Sequence, residues 1–393
     1  MSESTERVPR REGVGAGERR LTPDLARGFM LLLIAMAYAP LYLPGAYGSV
    51  NTHPDGGTWL DAAVRVVVLL VLDNRSFPMF AALFGYGMVM MLSGQLSRGT
   101  PEREARRLLR RRSLFLLLFG AVHAILVFPG EILAAYGLAG LVIGWLLLRP
   151  ERALLTGAAV TAVIYAVTVP LVGIMMAFAT EKSPVVGYST TADWAERIIF
   201  MPLAPVLNNI GFPLLLPLLL GAWAARRRLL DRPGDNKPLL ARIAAVGLAI
   251  SLLGALPAVL VEVGLWNTAD PVVLGTVMGV HAYTGVGGGI AYAALFGLLG
   301  ARLEDAPGPA ARALASAGKN SLTCYLMASV LVAVTLHAEL LGLGAHLNSA
   351  GAIGVAFLCW SVAVLYAVSL DRRGKRGPAD VALRRLVYKG AKR

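Results

Sequence analysis

Residues 98–149 read RGTPEREARRLLRRRSLFLLLFGAVHAILVFPGEILAAYGLAGLVIGWLLLR. Seven arginines and two glutamates crowd into residues 98–112, whereas from Ser113 to Leu148 the only ionisable side chains are His123, Glu131 and Tyr136. A helix on a soluble protein keeps a polar face; these runs are apolar all round, as a helix in lipid is. The stretch therefore reads as a charged loop followed by two membrane segments, 113–129 and 131–149, joined at Pro129–Gly130.

Composition extends that reading to the whole chain. Of 393 residues, 56% are hydrophobic and 16% charged, with a mean hydropathy of +0.63. Soluble domains lie nearer ~45–50% and ~25%. The expected fold is all-α, a polytopic membrane bundle. By the ~20 residues that a crossing needs, the other spans fall at 25–43, 77–97, 153–179, 203–225, 239–265, 272–300, 320–340 and 350–370, about ten in all.

The stretch WLDAAVRVVVLLVLDNRS, residues 59–76, has an uncharged core of only Val66–Leu72. Counting it as an eleventh span would place the arginine-rich loop 98–112 outside, against the rule that basic loops stay in the cytoplasm. It is read instead as an interfacial or partly inserted helix on the outer side. Residues 1–23 then form a disordered basic cytoplasmic N-terminus, 24–371 the bundle and 372–393 a basic cytoplasmic tail. The location is the cytoplasmic membrane, multi-pass, with both termini inside.

The net charge of +13 is thus topological and implies no nucleic-acid partner. Cys324 and Cys359 lie in apolar runs and imply neither a disulfide nor a metal site. No phosphate-binding glycine loop is present. The partners to expect are membrane lipids and an acyl-CoA or lipid ligand; a homo-oligomer is left open.

Five stretches in order resemble the YeiB-like family of bacterial membrane proteins (domain of unknown function 418). They are LTPDLARGFMLLLIAMAYAP, RSFPMFAALFGYGM, RRRSLFLLLFGAVHAILVFPGEILAAYGLAGL, AGKNSLTCYLMASVL and RGPADVALRRLVYKG. They are dispersed from Asp24 to Tyr388, so the resemblance covers nearly the whole chain. DLARG, LFGYG and the arginine-rich loop are also distantly similar to the transmembrane acyltransferase superfamily. That resemblance implies transfer of an acyl group from a cytoplasmic CoA donor to an acceptor. The acyltransferase-3 pattern places a histidine eleven residues after its motif arginine; after Arg27 that position is Tyr38.

His123 is the substitute. It lies ten residues beyond Ser113, roughly 15 Å into the membrane at ~1.5 Å per residue, where a neutral imidazole can take a proton from an acceptor. Glu131 is its expected orienting carboxylate, and it equally suits the N-terminus of the following helix. Arg27, paired with Asp24 one turn away, is the donor-side anchor. Tyr38, Tyr136, His281 and Tyr283 complete the binding candidates, with Arg27, Tyr38, His281 and Tyr283 the expected hydrogen-bond partners of His123. The glycines of the eighth span, Gly275 to Gly289, suit close helix packing, or alternatively a ligand resting on backbone. Two functions follow: a membrane acyltransferase using acyl-CoA, or a transporter for a small or amphipathic solute with the same polar groups as its binding site.

Overall fold

Apolar runs broken by proline, glycine and charge become fifteen helices in a computed structural model that describes residues 21–46, 53–178, 185–200, 202–303 and 306–389. No strand occurs among the described residues. The basic N-terminal segment up to residue 20 lies outside them. Residues 21–23, expected to be disordered, instead form the first turn of α1, Leu21–Tyr38, where Thr22 packs against Gly300.

Six helical stretches among the described residues are long and apolar enough to cross a membrane, and up to eight if each bent pair is one span. Two begin the chain: α1 with its 3-10 extension to Tyr42, and α2 (Trp59–Val71) with α3 (Ser76–Ser97). The other four are α6 (Glu151–Ala177), α10 (Lys237–Glu262), α11 (Pro271–Leu303) and α14 (Ser349–Arg372). One bent pair is α8 (Ala204–Gly211) with α9 (Leu215–Arg226), turning 76°. The other is α12 (Pro309–Lys319) with α13 (Ser321–Leu336), turning 91°.

The difference from about ten falls on residues 98–149. Here α4, Glu102–Leu126, spends its first three turns on arginines, and α5, Leu133–Ile143, has only 11 residues. They form an antiparallel hairpin held by glycine: a side chain at Gly120 would strike the Ala134 backbone, and one at Gly137 the Leu117 backbone. Short α7, Thr191–Phe200, lies near α4, and α15, Pro378–Tyr388, packs on α4 and α13. Arg111 donates to the carbonyls of Leu386 and Lys389, so most of the basic tail is docked on the bundle.

The segment 59–76 lies along the bundle. Arg65 bonds Glu262 at the end of α10, while Arg75 reaches the carbonyl of Ser251, eleven residues back along that helix. At ~1.5 Å per residue the contact runs roughly 16 Å down α10. So α2 packs along α10 and α3 continues from it after a break at Leu72–Arg75, where Asn74 has φ 58°. The charges at Asp61 and Arg65 both have local partners. Asp61 accepts from Thr58 and from the Ala350 amide, and Arg65 is paired.

The glycines of α11 are a packing surface. Gly275 and Gly279 meet α6 at Ile174 and Pro170, Gly287 meets α10, and Gly285 and Gly289 receive the backbone of the α2–α3 break. Small residues allow these backbones to touch where side chains would hold them apart.

Candidate functional site: the α4–α5 hairpin

His123 sits in the last turn of α4. Its carbonyl receives the amides of Val127 and Phe128, which closes the helix, and Pro129–Gly130 then turns the chain. The ring is buried, 4% exposed. Its Nε2 lies 3.0 Å from Ser329 Oγ on α13. Its Nδ1 has no hydrogen-bond partner and stands 4.0 Å from Glu131 Oε1.

Glu131 fills the role its position before α5 suggests. Oε1 accepts the Leu133 amide (2.5 Å) and Oε2 the Ala134 amide (2.9 Å), two of the donors a helix start leaves without partners. The Tyr325 hydroxyl adds a third bond, 2.8 Å to Oε1. The carboxylate thus caps the helix and faces the imidazole at once. Asn208 and Asn209, at the α8–α9 bend, donate to the carbonyls of Glu131 and Ala135 and fix α5 from the other side.

Of the partners expected for His123, none bonds it directly. Ser329 does, and Tyr38 is a neighbour of that serine, its ring stacked on Phe128 at 5.6 Å. Arg27 pairs with Asp24 at 3.2 Å and lies against Gly87 of the LFGYG stretch. Tyr136 donates to the Phe77 carbonyl at 2.7 Å, and Tyr283 to the Ala162 carbonyl at 3.0 Å on α6. His281 is buried elsewhere, beside Arg75. The structure therefore gathers His123, Glu131, Tyr38 and Tyr136 around one hairpin and places Arg27, His281 and Tyr283 apart from it.

Sequence reasoning missed Tyr325 and Ser329. They stand four apart in SLTCYLMASVL, on one face of α13, and a polar pair at that spacing in an apolar helix was the available signal. Asn320 and Ser321 do not cap α13 with their side chains; Asp380 of α15 accepts the amides of Leu322 and Thr323.

At the arginine-rich end, a cavity of about 90 Å³ is lined by Arg112, Ser321 and Asp380, and deeper by Phe84, Tyr136 and Tyr325. It ends beside the neighbours of Glu131. The Arg112 guanidinium lies over the Phe84 ring at 5.6 Å and is an electrostatic neighbour of Arg27.

The opposite end is closed by residues 185–200. Arg197, 1% exposed, donates to Ile125 and Gly187 and also to Val186, and its guanidinium lies 3.9 Å from the Tyr188 ring centroid. Tyr188 donates to the Val127 carbonyl. Two carbonyls at the end of α4 are thereby satisfied. Glu339 anchors the segment through the Tyr188 amide and the Ser189 hydroxyl, bonds that hold its carboxyl below the usual range.

Residues 224–390 match a family described as "Protein of unknown function (DUF418)". The chain is 34% identical over 140 residues to the uncharacterized protein YeiB of Escherichia coli (strain K12), covering 34% of this chain and 32% of that one. The DUF418 match and the likeness to YeiB support a YeiB-like DUF418 family assignment. Another relative is the uncharacterized protein YxaH of Bacillus subtilis (strain 168), 28% identical over 258 residues, 58% of this chain and 63% of that protein. A third is the "Uncharacterized 39.9 kDa protein in amylase 3'region" of Bacillus acidopullulyticus, 30% identical over 128 residues, 33% of this chain and 34% of that one. The matches thus span 63% of the length of YxaH and about a third of the other two. The DUF418 match begins inside α9, so α10 to α15, including Tyr325 and Ser329, fall within it, while the α4–α5 hairpin lies before it.

Proposed function

We propose that this DUF418 protein is an integral-membrane acyltransferase that draws an acyl-CoA from the cytoplasm and acylates an envelope or small-molecule acceptor, with His123 as general base. One observation carries the reading: a buried imidazole with one nitrogen held by Ser329 and the other free toward a carboxylate, while Tyr325, which touches both groups, lines a cavity that also borders Arg112. In the reading proposed, the serine oxygen accepts Nε2–H, so Nδ1 carries the lone pair.

In the proposed step Nδ1 takes the proton of the acceptor hydroxyl or amine as it attacks the thioester carbonyl. The carbon–sulfur bond breaks, and the imidazolium returns its proton to the departing thiolate. Glu131 stabilises the imidazolium across the 4.0 Å gap. A cavity of about 90 Å³ has room for the acetyl-thioester end alone, smaller than the ~150 Å³ that holds one benzene, leaving the rest of the arm and the nucleotide outside it, toward Arg27, Arg112 and the loop 98–112. The test is incubation of purified protein with radiolabelled acetyl-CoA and an envelope extract. Transferred label is expected; absence of both CoA binding and transfer with every acceptor supplied ends the acyltransferase reading.

The alternative is a transporter for a small or amphipathic solute. The interrupted helices at α8–α9, α12–α13 and α2–α3 favour it, because interrupted spans often line transport sites. Solute-driven uptake into sealed vesicles, without CoA binding, would identify it.

Both readings share one topology, in which α4 and α5 are legs of a crossing hairpin within ten spans, with both termini and the loop 98–112 cytoplasmic. Arg103→Cys is expected to react with a membrane-impermeant maleimide only after permeabilisation, and Asp55→Cys in intact cells. Cys324 and Cys359 are buried and give little background. Labelling of Arg103→Cys in intact cells would overturn the ten-span topology and make 59–76 a true span.

A further inference from the structure

The basic end of the α10–α11 pair carries a groove that neither reading of the hairpin uses. The two helices run antiparallel and touch backbone to backbone where glycines allow it: a Cβ on Gly247 would stand 2.4 Å from the Gly287 carbonyl oxygen. Toward the basic end, side chains separate them. There Gly297 of α11 meets the side chains of Leu230 and Leu240 rather than backbone. Outside that leucine contact lies a groove of about 630 Å³, lined by Lys237 and Ala241 of α10 and by Leu295, Leu298, Leu299 and Arg302 of α11. Its volume is that of an ordinary small-ligand site, ~300–1,000 Å³.

The groove is graded along its length. Residues 295, 298, 299 and 302 recur at helical spacing and share one face of α11, and the run from Leu295 to Arg302 covers ~10 Å. Lys237 opens α10 and Arg302 lies in the last turn of α11, so both cations stand at one end and the leucines lead away from them. Leu295 and Leu299 are exposed. Both helices are long and apolar enough to cross a membrane, which puts the leucines against hydrocarbon and the cations at headgroup level. Neither cation is matched from within. Lys237 and Arg302 are exposed, and among the described residues neither forms an ion pair or a side-chain hydrogen bond.

We propose that this groove holds one phospholipid with an anionic headgroup, of the phosphatidylglycerol type, its phosphate between Lys237 and Arg302 and one acyl chain along Leu295, Leu298 and Leu299. The two cations select the headgroup, because a zwitterionic lipid would bring a third positive charge to the same place. The leucines select a lipid over a soluble phosphate, which would leave them uncovered. Basic pockets between membrane helices hold anionic headgroups in this way. The site shares no residue with the hairpin and depends on neither function proposed for it.

The full chain, purified in a non-denaturing detergent, is titrated with phosphatidylglycerol, phosphatidylcholine or glycerol phosphate, and bound species are counted by native mass spectrometry. One phosphatidylglycerol is expected to bind ahead of any further copy, and more tightly than phosphatidylcholine. A basic residue at a membrane surface contributes about five-fold in affinity, so the double change Lys237→Gln with Arg302→Gln should weaken phosphatidylglycerol about twenty-five-fold. The double change Arg373→Gln with Lys375→Gln removes two other exposed cations from the basic end and should leave binding unchanged. Leu299→Trp fills the groove without altering either charge and should displace the lipid; it also covers the case in which the first pair of changes unfolds the protein. Equal affinity for the two phospholipids overturns the site. So does an equal loss in the two double variants, which marks a general charge effect, or full binding by a folded Leu299→Trp. Glycerol phosphate bound as tightly as the lipid, or a dimer that Leu299→Trp dissociates, would give the groove to another occupant and overturn the proposal as well.

Discussion

Exchange of His123 for glutamine is expected to leave the bundle folded and to lower acyl transfer by ~10²–10⁴-fold, the usual contribution of a general base. The structure explains why the two effects separate. A glutamine amide can still reach Ser329, so the helix contact between α4 and α13 keeps a polar bond, and the neighbouring Glu131 keeps its three donors from Leu133, Ala134 and Tyr325. What disappears is a nitrogen able to take a proton. Melting temperature and turnover, measured on the same preparations, decide the matter. Transfer at the wild-type rate removes His123 from the mechanism; a loss of transfer proportional to a loss of folded protein makes it a structural residue.

A single methyl group at Gly85 or Gly221 is expected to cost about 3 kcal/mol or more, at or beyond the upper end for overpacking. In α3 and α9 each helix offers a glycine to the other's backbone. A Cβ on Gly85 would stand 2.0 Å from the Leu218 carbonyl oxygen, and one on Gly221 would stand 1.9 Å from that of Ala82. Neither obstacle is a side chain that can rotate away, so the helices must part. Gly94, also on α3, has nothing within 4 Å of its would-be Cβ. Gly85→Ala and Gly221→Ala should therefore give aggregated or strongly destabilised protein on size exclusion and thermal melting, while Gly94→Ala behaves as wild type. Monodisperse Gly85→Ala with an unchanged melting temperature would mean that the α3–α9 contact is looser than described.

What was legible in the sequence followed from solvent. The all-helical membrane character came from runs with no polar face, and the burial of His123 from the cost of a polar ring in hydrocarbon. The capping role of Glu131 followed from its place ahead of a helix. Partners were another matter. Ser329 and Tyr325 reach the hairpin across 206 and 194 residues of chain, and no local pattern ties a serine in α13 to a histidine in α4. The segment 59–76 was hard for the opposite reason. Its charges suggested an interfacial or partly inserted helix, and the groups that hold it lie far along the chain: Asp61 accepts the Ala350 amide and Arg65 pairs with Glu262.

The hairpin's shape also bears on how the protein is made. The apolar part of α4 begins only after Arg112, and α5 has 11 residues, so neither leg resembles a segment that the insertion machinery accepts alone; arginine near a span centre costs ~2.5–3.5 kcal/mol there. When residues 113–148 leave the ribosome, Tyr325 and Ser329 have not been synthesised. His123 and Glu131 must wait, in lipid or beside an insertase, until α13 arrives and supplies its two hydroxyls. The first half of the chain is thus unfinished until the last quarter is in place, and a product truncated before α13 would leave the His123 ring without Ser329 and Glu131 without its Tyr325 bond, a defect open to membrane quality-control proteases.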